Sequence, residues 1–250
     1  MILPNTPVLI AGGQFTFRGP ADQCPPPIEV CAIAARAACQ DADLDENILH
    51  TIDGLAVVGF TIDAEGTPSK LPISRAKNPP NALASALGAN PTWRTYTHVG
   101  GNTPQALVNE AAERIANGDN KLVLLVGAEF LGSLMKQIQA GQFEALKSHH
   151  IDDPKGPAMF GDGRSGCSEH EAAHGLEFPA NVYPMFENAY RAHVGQSIEA
   201  HSRDMGELFA PFSAVAARNP YAWFQREHSA DDLISVSPNN RMVGFPYPKY

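Results

Sequence analysis

The chain has 250 residues, 44% of them hydrophobic, enough to bury one substantial core and a smaller second one. Its net charge of −9, with no Lys/Arg run of motif length, argues against nucleic-acid binding, which needs clustered positive charge. No apolar run approaches membrane-spanning length, and Met1-Ile2-Leu3-Pro4-Asn5 has neither a charged n-region nor an h-region, so a cytoplasmic location is expected.

Pro7-Val8-Leu9-Ile10-Ala11 reads as a short apolar strand running into Gly12-Gly13. After a proline-rich loop through Pro25, Pro26 and Pro27, Ile28 to about Asp41 reads as a helix whose alanines allow close packing on a sheet. Ile52 to Val58 is a second strand, entered through Asp53-Gly54, and Asn81 to Leu87 a short helix before Gly88. The four cysteines, Cys24, Cys31, Cys39 and Cys167, form no CxxC pair and are expected as reduced, mostly buried thiols.

Thr95 to Val99 then runs into Gly100-Gly101, and Asn102-Thr103-Pro104-Gln105 opens a helix that ends near Gly118. Asn102 or Thr103 can cap free N–H groups, Pro104 suits the first turn, and Gln105 can complete a capping box with Asn102. Ala106, Leu107, Ala111, Ile115 and Ala116 give an apolar face near helical period. Leu122 to Val126 is apolar throughout and predicts a strand buried on both faces. Alternating strands and helices of this kind imply an α/β layer architecture with a largely parallel sheet.

Beyond Glu129 the pattern turns helical: Leu131 to Lys147, Glu169 to Ala173, Val182 to His193, Ser197 to Arg218 and a short piece over Ala222 to Glu227. No strand of convincing period stands between Phe130 and Ser235, and the proline- and aromatic-rich end from Asn239 to Tyr250 returns no element to the sheet. The expected division is an α/β half-domain over 1–130 and a mainly helical insertion over 131–250, its fold incomplete at the C-terminus.

Three groups of residues offer chemistry. The helix opening at Asn102 is the best placed for a nucleophile or an oxyanion, because the dipole lowers the pKa of a thiol there and stabilises anions. No cysteine is near; Thr97, His98, Asn102 and Thr103 are the polar candidates, each with a structural role open to it as cap or strand-end residue. His170-Glu171-Ala172-Ala173-His174 matches H-E-x-x-H, a zinc-hydrolase pattern in which Glu171 would be the base, but Gly163 and Gly166 before it and Gly175 and Pro179 after it cut the helix short. His149-His150-Ile151-Asp152-Asp153 could hold a metal on a loop. The glycines of Gly161 to Gly166 lack the ending of a phosphate loop, and Gly12-Gly13 lacks the dinucleotide spacing.

The run His98-Val99-Gly100-Gly101-Asn102-Thr103-Pro104-Gln105-Ala106-Leu107-Val108, with Gly118-Asp119 and Val123 to Glu129 after it, resembles the nucleophile-bearing strand, helix and strand of the thiolase superfamily. Thr6 to Gln14, Ala32 to Asp43 and Ile52 to Val58 add to the likeness, and Glu187-Asn188-Ala189 followed by Ser202 to Pro220 is similar to the superfamily's loop domain. Within it the chain looks most like acetyl-CoA acetyltransferase-like proteins of the sterol-carrier-protein-associated type.

That resemblance implies a layered α/β/α half-domain with a mixed, mostly parallel sheet, and 3-oxoacyl-CoA or acetyl-CoA chemistry in lipid metabolism. It implies a coenzyme A thioester as substrate or ligand rather than a permanently bound cofactor, near Gly100, Gly101, Asn102 and Asn181, and a homo- or hetero-oligomer. The family's nucleophilic cysteine falls on Gly100, which cannot form an acyl-enzyme, and the pantetheine-side histidine of the loop domain falls on Asn181. The second cysteine, the Gly-His-Pro histidine and the last strand of the first half would lie beyond Tyr250. By family the chain would be classed as an acyltransferase; by its own residues an acyl-CoA binding or assembly component, or a fragment of a longer enzyme, is expected, with the zinc hydrolase of His170, Glu171 and His174 as the alternative.

Overall fold

The computed structural model describes residues 5–64, 76–141, 155–238 and 240, and the backbone of 242–244 and 247–248. The chain packs as two compact units, Met1–Gly163 and Arg164–Tyr250.

In the first unit, helix α1 (Pro27–Asp41), strand β1 (Gly54–Val57), helix α2 (Pro79–Ala86), strand β2 (Trp93–Thr97), helix α3 (Thr103–Ala116), strand β3 (Val123–Val126), helix α4 (Leu131–Gln139) and strand β4 (Met159–Phe160) follow in order. The sheet order is β3-β1-β2-β4 and every described pairing in it is parallel. Gly54 stands opposite Trp93 on one side and Val123 on the other. The α/β architecture of the sequence analysis is therefore present.

Strand period decides what β1 buries: Leu55 and Val57 join a core with Cys31, Ala32 and Ala35 of α1 and Leu83 and Ala84 of α2. Leu134 of α4 belongs to the same core, so the helix after residue 130 packs into this unit. Leu107 and Ala111 of α3 are also buried, outside that cluster. Gly88 and Gly118 just past the ends of α2 and α3 have φ of 64° and 80°, where a side chain would be strained. All four cysteines are free thiols; Cys31 and Cys39 are buried, and burial pushes the Cys31 thiol up to about 12.

The strand ends opposite the α3 turn are stitched by one carboxylate. Asp53 accepts from the Leu122 N–H at 3.0 Å and from the Lys121 N–H at 2.9 Å, while its carbonyl accepts from Trp93 N–H and from the Asn120 amide at 3.0 Å. Burial pushes the carboxyl up, but the bonds from Leu122, Lys121 and Asn120 outweigh it and hold the pKa below its ordinary value.

The structure corrects several expectations. Pro7–Ala11 is no strand: Asn5 reaches the Ala116 carbonyl and Gly12 N–H reaches Asp41, so the segment is anchored at its ends while Val8, Leu9 and Ile10 are exposed. An apolar run becomes a strand only beside a partner, and no described strand pairs with it. β3 is half-buried along its length rather than fully buried, and it stands at the edge of the described sheet with β1 as its one described neighbour. β4, too short for any period to register, adds a strand where none was expected.

In the second unit, α5 (Glu169–Ala173), α6 (Pro179–His193), α7 (Ile198–Arg218) and α8 (Ala230–Ile234) precede the antiparallel pair β5 (Met242–Gly244) and β6 (Tyr247–Pro248). Gly206 brings α7 against α8, since a Cβ there would lie 2.7 Å from the Ala230 carbonyl. α6 is tied to α7 by buried His201, whose Nε2 is 2.8 Å from Glu187 and whose Nδ1 is 3.1 Å from Gln196. No helix covers Ala222–Glu227; the helical piece lies later, at α8, started by a Ser229–Asp232 capping box.

Candidate functional site

β2 ends at Thr97 and α3 begins at Thr103, so His98 to Asn102 form the turn at the carboxyl end of the sheet. The crevice outside the carboxyl ends of strands is where open α/β sheets bind ligands. The turn is held on both sides: the Thr97 hydroxyl accepts from the Gly59 N–H at 2.8 Å, and the His98 N–H donates to the Phe160 carbonyl at 3.4 Å. Gly59 has no room for a side chain there, a Cβ falling 2.4 Å from the Thr97 carbonyl oxygen. His98 is half-buried, Gly101 and Asn102 are exposed, and Thr103 is buried.

Gly100, the position of interest, is closed off from within. The Thr103 hydroxyl donates to the Gly100 carbonyl at 2.6 Å, and the Thr103 N–H donates to the same oxygen at 3.1 Å. A Cβ built on Gly100 would meet Thr103 Oγ1 at 2.9 Å and Asn102 Oδ1 at 3.2 Å, whereas one on Gly101 would meet nothing within 4 Å. Thr103 is thereby accounted for as a turn-closing hydroxyl.

The expected capping box is absent. Asn102 holds the N-cap position with helical angles, φ −89° and ψ −12°, and makes no side-chain cap bond. A capping side chain needs an extended backbone to swing over the first turn. Gln105 instead reaches forward to Asn109 at 3.2 Å. The exposed Asn102 amide and the N-terminus of the 14-residue α3 are the groups that remain for a ligand.

The other expected site residues lie in the second unit. Asn181, in the first turn of α6, is exposed and donates to the Gly175 carbonyl at 2.9 Å. His170 and His174 face each other across one turn of α5, ring centroids 4.6 Å apart, but Glu171 accepts from the Ser168 N–H at 2.7 Å and its hydroxyl at 2.8 Å. Glu171 is thus a capping residue. The His149–Asp153 run lies outside the described residues, among which no group of three or more His, Cys, Asp or Glu is gathered for a metal. No described helix is long and apolar enough to cross a membrane. Sequence reasoning missed the Asp53 clamp and the His201–Glu187 pair; neither follows from local spacing, since the first joins residues 68 apart.

No family model and no curated protein matches the chain. Solved structures do. The crystal structure of a monomeric SCP2-thiolase-like protein type 1 from Mycobacterium smegmatis is 31% identical, with a TM-score of 0.71, over 100% of this chain and 43% of that one. A chain of the Ltp2-ChsH2(DUF35) aldolase is 22% identical, with a TM-score of 0.60, over 98% of this chain and 52% of that one, and shares the fold. The chain thus spans about half the length of these proteins or less. Over the whole of this chain, and over less than half of its 31%-identical neighbour, the sequence and fold are thiolase-like, of the SCP2 type.

Proposed function

We propose that the chain binds a coenzyme A thioester at the N-terminus of α3 and acts as a binding or assembly component, without acyl transfer of its own. The observation that carries this reading is Gly100: the turn offers a helix N-terminus to a thioester oxygen, but the place for a nucleophile is glycine, and the Thr103 hydroxyl fills the space beside it. His98 and Asn102 are the polar residues nearest in sequence to Gly100, where the acyl group would lie. The ligand is a thioester of acetyl or 3-oxoacyl type, a substrate-like molecule and not a resident cofactor, and the setting is cytoplasmic lipid metabolism.

A protein partner belongs to the same reading. One solved neighbour is named as a complex of two proteins, Ltp2 and ChsH2. In this chain Phe186 and Tyr190 of α6 and Leu208 and Phe212 of α7 are each more than 45% exposed, large apolar side chains that association would cover.

Titration calorimetry with acetyl-CoA and acetoacetyl-CoA, run beside a thiolysis assay, tests the proposal. Saturable binding without turnover is expected. Turnover by this chain alone, or no binding of either thioester, overturns it. The hydrolase alternative gains no support from α5, because the carboxylate it would use as base is held by the helix cap.

A further inference from the structure

His170 of α5 and His174, the residue that caps its C-terminus, have a use that does not involve Glu171. We propose that His170 and His174 form a two-histidine clamp for a borderline divalent transition ion such as Zn2+ or Ni2+, with water completing the coordination. Helical spacing puts the two rings on one side, their centroids 4.6 Å apart and their planes inclined by 53°. Rings this close leave one ion within reach of a nitrogen from each, at metal–nitrogen bonds of about 2.1 Å.

The hydrogen bonding suits the role. His174 Nδ1 lies 2.8 Å from the His170 carbonyl oxygen, which can only accept, so Nδ1 is the donor of that bond and Nε2 is the ring nitrogen left for an ion. A ring N–H donated to a backbone carbonyl is the usual arrangement behind a ligating histidine. Both rings are exposed, so an ion reaches them without rearrangement of the core.

The backbone that carries them is already fixed at both ends. The Ser168 hydroxyl accepts from the Glu171 N–H at 3.2 Å while Glu171 bonds back to Ser168, and the Leu176 N–H donates to the Glu171 carbonyl at 3.0 Å. Beyond the helix, the Asn181 amide holds the Gly175 carbonyl. Imidazole nitrogen selects zinc, nickel and copper over magnesium and calcium, which prefer oxygen. With no third His, Cys, Asp or Glu gathered among the described residues, the ion keeps open positions and the clamp staples one helical turn. It is independent of thioester binding, which concerns the first unit.

Equilibrium dialysis of the full chain against zinc chloride, nickel chloride and magnesium chloride reads this directly. Because the chain has nine histidines, the informative quantity is the site lost on substitution rather than the total bound. His170→Ala and His174→Ala should each remove the same single zinc and nickel site, and Glu171→Gln, which keeps the capping box, should retain it. Magnesium should not compete. Circular dichroism of the two alanine variants should match the parent, since both side chains are exposed. Unchanged zinc stoichiometry in the alanine variants overturns the clamp. So does loss of the site in Glu171→Gln, which would point instead to a three-residue hydrolase centre.

Discussion

The Thr103 hydroxyl donates to the Gly100 carbonyl at 2.6 Å, and that hydroxyl's oxygen lies 2.9 Å from where a side chain at position 100 would begin. One hydroxyl therefore closes the turn and occupies the approach to it. Gly100→Cys forces Thr103 to move, an overpacking that should cost about 1 kcal/mol or more. It should yield no acyl-enzyme with acetyl-CoA. Denaturant unfolding measures the first part and intact mass after incubation the second. An acylated protein from the single substitution would show that the turn is competent and lacks nothing but sulfur.

How far the sequence disclosed this structure follows from the range of the interactions involved. α1 and α3 were legible because a proline start and helical periodicity act within one segment, with Gly118 marking the end of α3, and β1 because a short apolar run follows Asp53-Gly54. Pro7–Ala11 misled because the apolar run that suggests a strand says nothing of whether a neighbour lies beside it. β3 misled in the same way: it is half-buried and stands at the edge of the described sheet. At the site, position 100 could be read from the flanking Ala106-Leu107, yet the role of Thr103 could not. Whether a hydroxyl at a helix start caps the helix or bonds backward depends on backbone angles that the residue name leaves open.

Asp53 gives the fold a dependence on acid. Its folded-state pKa is depressed below 3.8 because the N–H groups of Leu122 and Lys121 and the Asn120 amide outweigh burial. A depressed carboxyl contributes stability that is present above the unfolded pKa and is lost as pH falls through the folded one. Asp53→Asn removes the charge at every pH, so the variant should be less stable by about 1–2 kcal/mol at neutral pH. The two unfolding free energies should converge in acid. Urea titrations at several pH values compare them, and parallel curves would show that Asp53 is not the group responsible.

Tyr96 joins the segment after β1 to β2. Its hydroxyl donates to Asp63 at 2.6 Å and accepts from the Phe60 N–H at 2.8 Å, and burial, then the Asp63 carboxylate, pushes its pKa well above the ordinary tyrosine value. Tyr96→Phe keeps the ring packing on Phe60 but strands a buried N–H, at a cost of about 1–3 kcal/mol. Alkaline titration should show the Tyr96 phenolate forming only as the protein unfolds. A phenolate absorbing in the folded state at ordinary tyrosine pH would contradict the buried hydrogen-bonded hydroxyl.

Two helical glycines should respond oppositely to the same substitution. Gly206 of α7 faces α8, where an added Cβ would lie 2.7 Å from the Ala230 carbonyl oxygen and 2.9 Å from Ile234 Cγ2. Backbone cannot give way as a flexible side chain would, so Gly206→Ala must separate the helices and should destabilise the second unit by about 1–3 kcal/mol. Gly132 of α4 has nothing within 4 Å of the same atom, and alanine there loses less chain entropy on folding. Gly132→Ala should stabilise the first unit by about 0.4–1 kcal/mol. Thermal and denaturant unfolding of the pair reads the difference. If Gly206→Ala unfolds no earlier than the parent, the close approach of α7 and α8 is not what that glycine is for.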